Sequence, residues 1–388
     1  MKTKSIKYVL LTLLVLTACI CIVSCNKNKG NGNGLFGNNE VNQPLEYVLS
    51  TDGSYYIVAG IGDCTDTDIV IPSKHNGIPV RVIGTSAFEG CSHLTSVEIR
   101  PGVVTIESNA FKDCIGLKKM ELSYSVEEIF DNAFLNCGDI YTKDESHVYV
   151  GSSSNPYYAL IGILPCGKKN IGYYEYDLYP ESCAPHNDTV VIASGTFYKS
   201  SETRKLYLGE SLKHITYGAF YQSRIDEIQV AQKNSNYLVI AGNLYSRDRK
   251  TMVYYFENRN EYEQYEFRIF DFVTNLSPGV FYKTYYIYRV IIPDSIKEIS
   301  PSAFSDSGIS AVVIPKSVNK IDICAFYNCN NLNTIFYGGT AEDFSKIEID
   351  LFNEDFHDAE IYYYRESEPL ENGNFWYFDD EGNPVIWR

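Results

Sequence analysis

Positive charge, histidine and tryptophan are what this 388-residue chain has little of. It carries 33 Lys+Arg against 49 Asp+Glu, a formal net charge of −16, with six His and two Trp. A deficit of cations argues against nucleic acid as a partner and against unassisted adsorption to an anionic membrane, since both depend on clustered Lys and Arg. The six histidines (75, 93, 147, 186, 214, 357) are scattered, and none falls at ligand spacing from a cysteine. C-x-x-C, H-E-x-x-H, G-x-S-x-G, P-loop and dinucleotide-binding patterns are all absent. The expectation is a chain that is not an enzyme, with no catalytic residue, no cofactor and no metal. Adjacent acids such as Glu127–Glu128 and Asp379–Asp380 fit solvated charges better than a glycosidase pair. The Asp63–Asp68 loop lacks the spacing and the glycine of a calcium loop.

Tyrosine is abundant instead, at 33 residues, a side chain suited to half-buried β-surfaces and to contact faces. The N-terminus reads as a targeting segment. Lys2, Lys4 and Lys7 precede the apolar run Tyr8–Val23, and "IVSC" ending at Cys25 resembles a bacterial lipobox. That resemblance implies removal of residues 1–24 and lipid attachment at Cys25, so membrane association through the anchor. The alternative is an uncleaved anchor, although a run of 16 residues is slightly short to span a bilayer. Either reading puts the rest outside the cytoplasm, lipid-anchored to a bacterial membrane and displayed at the cell surface on the first. Residues 25–43, rich in Asn, Gly and Lys, read as a flexible tether.

The dominant signal is a repeat. "IGTSAFEGCSHLTSVEI" (83–99) returns as "IESNAFKDCIGLKKMEL" (106–122). Aligned on Phe, units fall at Phe88, Phe111, Phe134, Phe197, Phe220, Phe281, Phe304 and Phe326, each preceded at five residues by an aliphatic from Ile83 to Ile321. Three apolar positions follow, as in Leu94, Val97 and Ile99, the alternation of a short strand with one face buried. No unit of this length buries its own apolar face, but stacked units bury one another's. The expected fold is a β-rich leucine-rich-repeat solenoid with one short parallel strand per turn of about 23 residues. It spans 44–363, with a capping tail at 364–388 built on Phe375, Trp376, Tyr377, Phe378 and Trp387. The gaps Phe134–Phe197 and Phe220–Phe281 read as two longer variant turns carrying inserted strand pairs. "SNPYYALIGIL" and "NSNYLVIAGNLYSRD" appear as similar elements within them, and "IAGNLYSRDRKTMVYY" reads as a hairpin.

The pattern I-x-x-x-A-F-x-x-C-x-x-L-x-x-V-x-I resembles the bacterial BspA-like (Treponema-type) leucine-rich repeats over nearly the whole chain after the tether. The resemblance implies a surface-exposed protein, adhesin-like, binding protein or glycan. A scaffold of the cell envelope and a carbohydrate-active hydrolase are the alternatives.

Outward strand positions supply the candidate binding residues. One column reads Ser96, Lys119, Lys205, Glu227, Arg289, Ala311, Thr334. Its neighbour reads Glu98, Glu121, Tyr207, Gln229, Ile291, Val313, Phe336. Tyr207, Arg289, Ile291, Val313 and Phe336 are the candidate ligand-binding residues if exposed. The competing expectation is that the aromatic tail covers the last three. Cys91, Cys114 and Cys137 are expected to form a ladder of small buried thiols, and Cys166 with Cys183 is the one pair worth testing as a disulfide.

Overall fold

A computed structural model describes residues 43–387 apart from 172–173, 199, 201, 221–222, 258–263 and 371. The targeting segment, Cys25 and the tether up to residue 42 lie outside the described residues. Among the described residues no helix is long and apolar enough to cross a membrane.

The fold is a β-solenoid of the expected kind. Each turn gives one two-residue strand and one longer strand, so two parallel ladders run along the coil. In the first ladder Ile83, Ile106 and Ile129 stand in register, then Leu160, Ile192 and Ile215, and then Ile299, Ile321 and Ile349. In the second, Ile69 aligns with Val97 and Met120, Leu206 with Ile228, and Val290 with Val312 and Ile335. In-register stacking places identical side-chain types over one another, which is why the sequence repeats.

Between the ladders the phenylalanines form the expected column. Phe88, Phe111 and Phe134 stack at 5.1 and 5.6 Å, and Phe281, Phe304 and Phe326 at 5.0 and 5.1 Å. Phe356, from the short helix Glu354–Asp358, extends the column by one ring at 4.8 Å from Phe326. The Ala before six of the eight Phe is buried, and the carbonyls of Ala110, Ala133, Ala219, Ala303 and Ala325 accept the Phe N–H of the preceding turn.

The corner also explains the residue ahead of that Ala. Two residues before each Phe the backbone is left-handed (Ser86, Asn109, Asn132, Gly195, Gly218, Gly279, Ser302, Cys324). It is left-handed again two residues after most of them, at Gly90, Asp113, Asn136, Lys283, Asp306 and Asn328, with φ between +54° and +83°. A Cβ makes that conformation costly, and Gly and Asn tolerate it best, which accounts for the "NAF" and "GAF" triplets.

Of the expected thiol ladder Cys114 and Cys137 are small buried core groups, while Cys91, nearest the start of the array, is only half-buried. Cys114, Cys137 and Cys329 each donate to the carbonyl of the Phe one turn earlier (Phe88, Phe111, Phe304) at 3.0 Å. Burial pushes Cys114 up to about 12 and Cys137 up to about 11, so neither forms a thiolate at neutral pH. All eight described cysteines are free thiols, Cys166 and Cys183 included; Cys166 is exposed and Cys183 buried.

Both ends are closed. Strand Glu46–Leu49 runs antiparallel to Tyr56–Gly60, and the Gln43 side chain bonds Asp66, the Asp68 carbonyl and the Val70 N–H. At the other end Phe375–Phe378 pairs with Tyr363 and Tyr364 and turns back into Pro384–Ile386. Parallel edge strands left bare invite pairing with other chains, and at each end a short antiparallel strand takes the outermost place instead.

Candidate functional site

The outward columns are real: Lys205 pairs with Glu227, Tyr207 with Gln229, Ile291 with Val313, and Val313 with Phe336. They meet two different environments.

Over the last turns the face is covered. Ile291, Val313 and Phe336 are only 4, 3 and 5 % exposed, packed with Ala311 and Trp376 into one apolar cluster. Their burial matches the competing expectation, that the aromatic tail covers these three. Trp376 lies edge-on to Phe336 at 5.4 Å and its indole N–H donates to the Tyr337 carbonyl at 2.8 Å. The hairpin turn reaches back to Arg268, whose guanidinium donates to the Gly382 carbonyl at 2.7 Å. Trp376 pairs beside the last turn while Gly382 touches strand Tyr265–Arg268, so the hairpin crosses the strands between them as a strap. Both faces of these strands are apolar, and only a second layer makes that tolerable in water. Arg289, on the strand that carries Ile291, has its guanidinium engaged by Glu266 at 2.6 Å and lying over the Tyr288 ring.

Over the earlier turns the face is open. Tyr207 is 37 % exposed with Glu227 and Gln229 exposed on the strand beside it, and Glu98 and Lys119 are exposed on the separate sheet of the first turns. Cross-strand pairs such as Lys205–Glu227 at 3.4 Å are surface contacts, each contributing little to stability and free to exchange partners with a ligand.

One chemical grouping was not legible from spacing. In the first variant turn His147 Nδ1 faces the Asp144 carboxylate at 2.8 Å, and its Nε2 faces Cys183 Sγ at 3.1 Å. Thiol, imidazole and carboxylate stand in the order used by cysteine nucleophiles. Yet Cys183 is fully buried, and desolvation raises its pKa strongly, the opposite of activation. Here the grouping satisfies buried polar atoms. Burial alone would raise the Asp144 carboxyl, but the Ser146 N–H, His147 and the Tyr149 hydroxyl hold it below the ordinary value. Its contribution is present above the unfolded aspartate pKa and is lost as pH falls through the depressed folded value. Asp144→Asn should cost about 1–3 kcal/mol near neutrality. The deficit should shrink on acidification, and a constant deficit from neutral to acid pH, read by chemical denaturation, would contradict this role.

Register, corners and caps agree with a match to the profile of the BspA type leucine rich repeat region, found in six copies over residues 63–147, 174–268 and 250–377. The chain belongs to the BspA-type leucine-rich repeat family. No curated protein matches it. Among solved structures, a leucine-rich repeat protein from Eubacterium ventriosum is 16 % identical, with 83 % of this chain and 77 % of that one covered at a TM-score of 0.42. The leucine rich repeat protein of T. pallidum is 17 % identical over 81 % and 92 %, TM-score 0.28. A leucine rich cell surface protein from Faecalibacterium prausnitzii is 18 % identical over 82 % and 99 %, TM-score 0.32. In this BspA-type array the profile's second segment begins at residue 174 and the third at residue 250, within the two variant turns.

Proposed function

We propose that this BspA-type array is a cell-surface lipoprotein, anchored through Cys25, that binds a protein or glycan ligand on the open strand face around Tyr207. The observation that carries the reading is the contrast between the two parts of one face. The apolar part is strapped shut, and the part left open carries an exposed Tyr among exchangeable charges, the composition of a contact surface. Rigid parallel strands hold those side chains in fixed rows at low entropic cost. The scaffold reading differs only in the partner, an envelope protein of the same cell. The hydrolase reading gains nothing from Cys183, which has no access to a substrate.

Two measurements test it. Intact mass from the native membrane should show a diacyl or triacyl group on Cys25, with the repeat domain digested by protease added to whole cells. An unmodified, protected chain would remove the displayed-lipoprotein reading. On matrix-protein and glycan panels, Tyr207→Ala should weaken the captured ligand by about tenfold or more while leaving the melting temperature unchanged. Undiminished capture would move the site off this face.

A further inference from the structure

The Phe corners of the coil are joined by main-chain hydrogen bonds of one fixed pattern. At the corner of Phe111 the N–H groups of Asn109, Phe111 and Asp113 donate to the carbonyls of Asp131, Ala133 and Leu135 in the next turn, at 3.0, 2.8 and 2.9 Å. The corners of Phe88, Phe281 and Phe304 repeat the same three bonds. At the last Phe corner, where no further Phe corner follows, the chain supplies substitutes. The Cys324 N–H donates to the Leu351 carbonyl, and the Phe326 N–H donates to the side-chain oxygen of the buried Asn353 at 2.9 Å. Main-chain donors left without an acceptor inside a protein cost free energy, and here the fold closes the row.

Two antiparallel meanders interrupt the pattern. Strands Thr142–Lys143, His147–Val150 and Ala159–Ile163 follow Phe134, and Tyr237–Ile240, Asn243–Ser246 and Thr251–Tyr254 follow Phe220. At Phe220 the chain's own rings pack against the interrupted corner, Tyr254 at 4.7 Å and Phe256 at 5.4 Å. At Phe134 the row stays open. Among the described residues the N–H groups of Asn132, Phe134 and Asn136 have no acceptor. In the next corner the carbonyls of Ser194 and Thr196 hold the accepting positions, and among the described residues they have no donor. A cleft of about 500 Å³ opens between the two corners, with Asn132, Phe134, Asn136, Ser194 and Gly162 in its lining. Asp131 Oδ1 accepts from the Ser194 hydroxyl at 2.5 Å and ties the corners together across it.

We propose that this cleft binds a segment of a partner polypeptide through its main chain, which takes the place that the next corner has elsewhere in the coil. Donors on alternate residues match the alternate carbonyls of a peptide, and the carbonyls of the facing corner accept its N–H groups. The same pairing of N–H and C=O rows joins every regular corner of this chain, so the complementary chemistry is that of a polypeptide backbone. The Phe134 ring takes no part: it is 3 % exposed, whereas Asn132 and Asn136 are exposed residues. The lining carries the Asp131 carboxylate and, among the described residues, no cation, which disfavours an anionic ligand. The site does not include Tyr207, so it stands whether or not the open strand face binds.

The test titrates the full chain with acetyl-Ser-Asn-Ala-Ala-Lys-Asp-amide, the corner sequence of residues 108–113 with alanine in place of its ring, and follows the protein amides by NMR. Saturable binding is expected, with downfield shifts and slowed exchange at the amides of Asn132, Phe134 and Asn136. The same peptide N-methylated at alternate residues has lost its main-chain donors and should bind at least about tenfold more weakly. Gly162→Leu should weaken the parent peptide likewise, because a Cβ at 162 meets no atom within 4 Å and the side chain would enter the cleft. If that variant fails to fold, the N-methylated peptide and the three amides decide without it. Absence of saturable binding overturns the proposal, as does equal binding of the N-methylated peptide or shifts that spare all three amides. Maltohexaose shifting those amides where the peptide does not would assign the cleft to a glycan and overturn it equally.

Discussion

Phe111→Ala should cost about 3–5 kcal/mol of unfolding free energy, the range for removing a fully buried aromatic whose cavity cannot collapse. Collapse is resisted here because Phe111 is sandwiched between Phe88 and Phe134, and its N–H is fixed to the Ala133 carbonyl of the following turn. The stacking geometry is repeated by in-register backbone ladders on both sides, so neighbouring turns cannot slide inward without breaking strand pairing. In a solenoid each turn contacts only its neighbours, and the loss should therefore stay local. Hydrogen exchange should accelerate across residues 83–140 and stay unchanged across residues 281–326, whose rings belong to a separate buried cluster. Equal acceleration in both blocks would mean that the array melts as one unit. An unchanged denaturation midpoint would remove the column from the account of stability.

The column was legible because an apolar ring at fixed spacing leaves a direct trace in the chain. The left-handed corners left a trace too, in Asn109, Asn132, Gly218 and Gly279, but it is easily mistaken for ordinary turn composition. The variant turns were harder. "SNPYYALI" and "NSNYLVI" look alike, yet the first leads into the last strand of its meander and the second forms the first strand of its own. Antiparallel pairing is set by bulges and by the neighbouring turn, and a local match of Asn and Tyr does not report either. The apolar ribbon Ile291, Val313, Phe336 was visible as a column. Whether water or protein lay over it was not, since the contact that fixes the strap joins residues 114 positions apart. His147 and Cys183, 36 positions apart, escaped notice for the same reason.

Trp376→Ala should release that strap. The indole is 1 % exposed, packs on Phe336, on Tyr364 at 5.3 Å and on Phe378 at 4.7 Å, and satisfies the Tyr337 carbonyl. Truncation removes the largest buried side chain of the tail and leaves that carbonyl without its donor, a local cost of about 3–5 kcal/mol. What remains to hold the hairpin is its pairing with Tyr363 and Tyr364, the Arg268–Gly382 bond and the Trp387 indole on the Arg365 carbonyl at 3.2 Å. Exposed contacts of that kind contribute on the order of 1 kcal/mol each and do not replace a buried indole. The hairpin should then become the first site cut by protease, and the uncovered Ile291–Val313–Phe336 ribbon should bind a hydrophobic dye and promote self-association. Ile291→Lys approaches the same contact from beneath. A lysine under an intact strap is a buried, unpaired ammonium, so the variant should lose stability and loosen the hairpin. On a solvent-facing strand it would be close to neutral. If Trp376→Ala keeps a protease-resistant hairpin and Ile291→Lys keeps parental stability, the ribbon is open to solvent and returns to the candidate binding face.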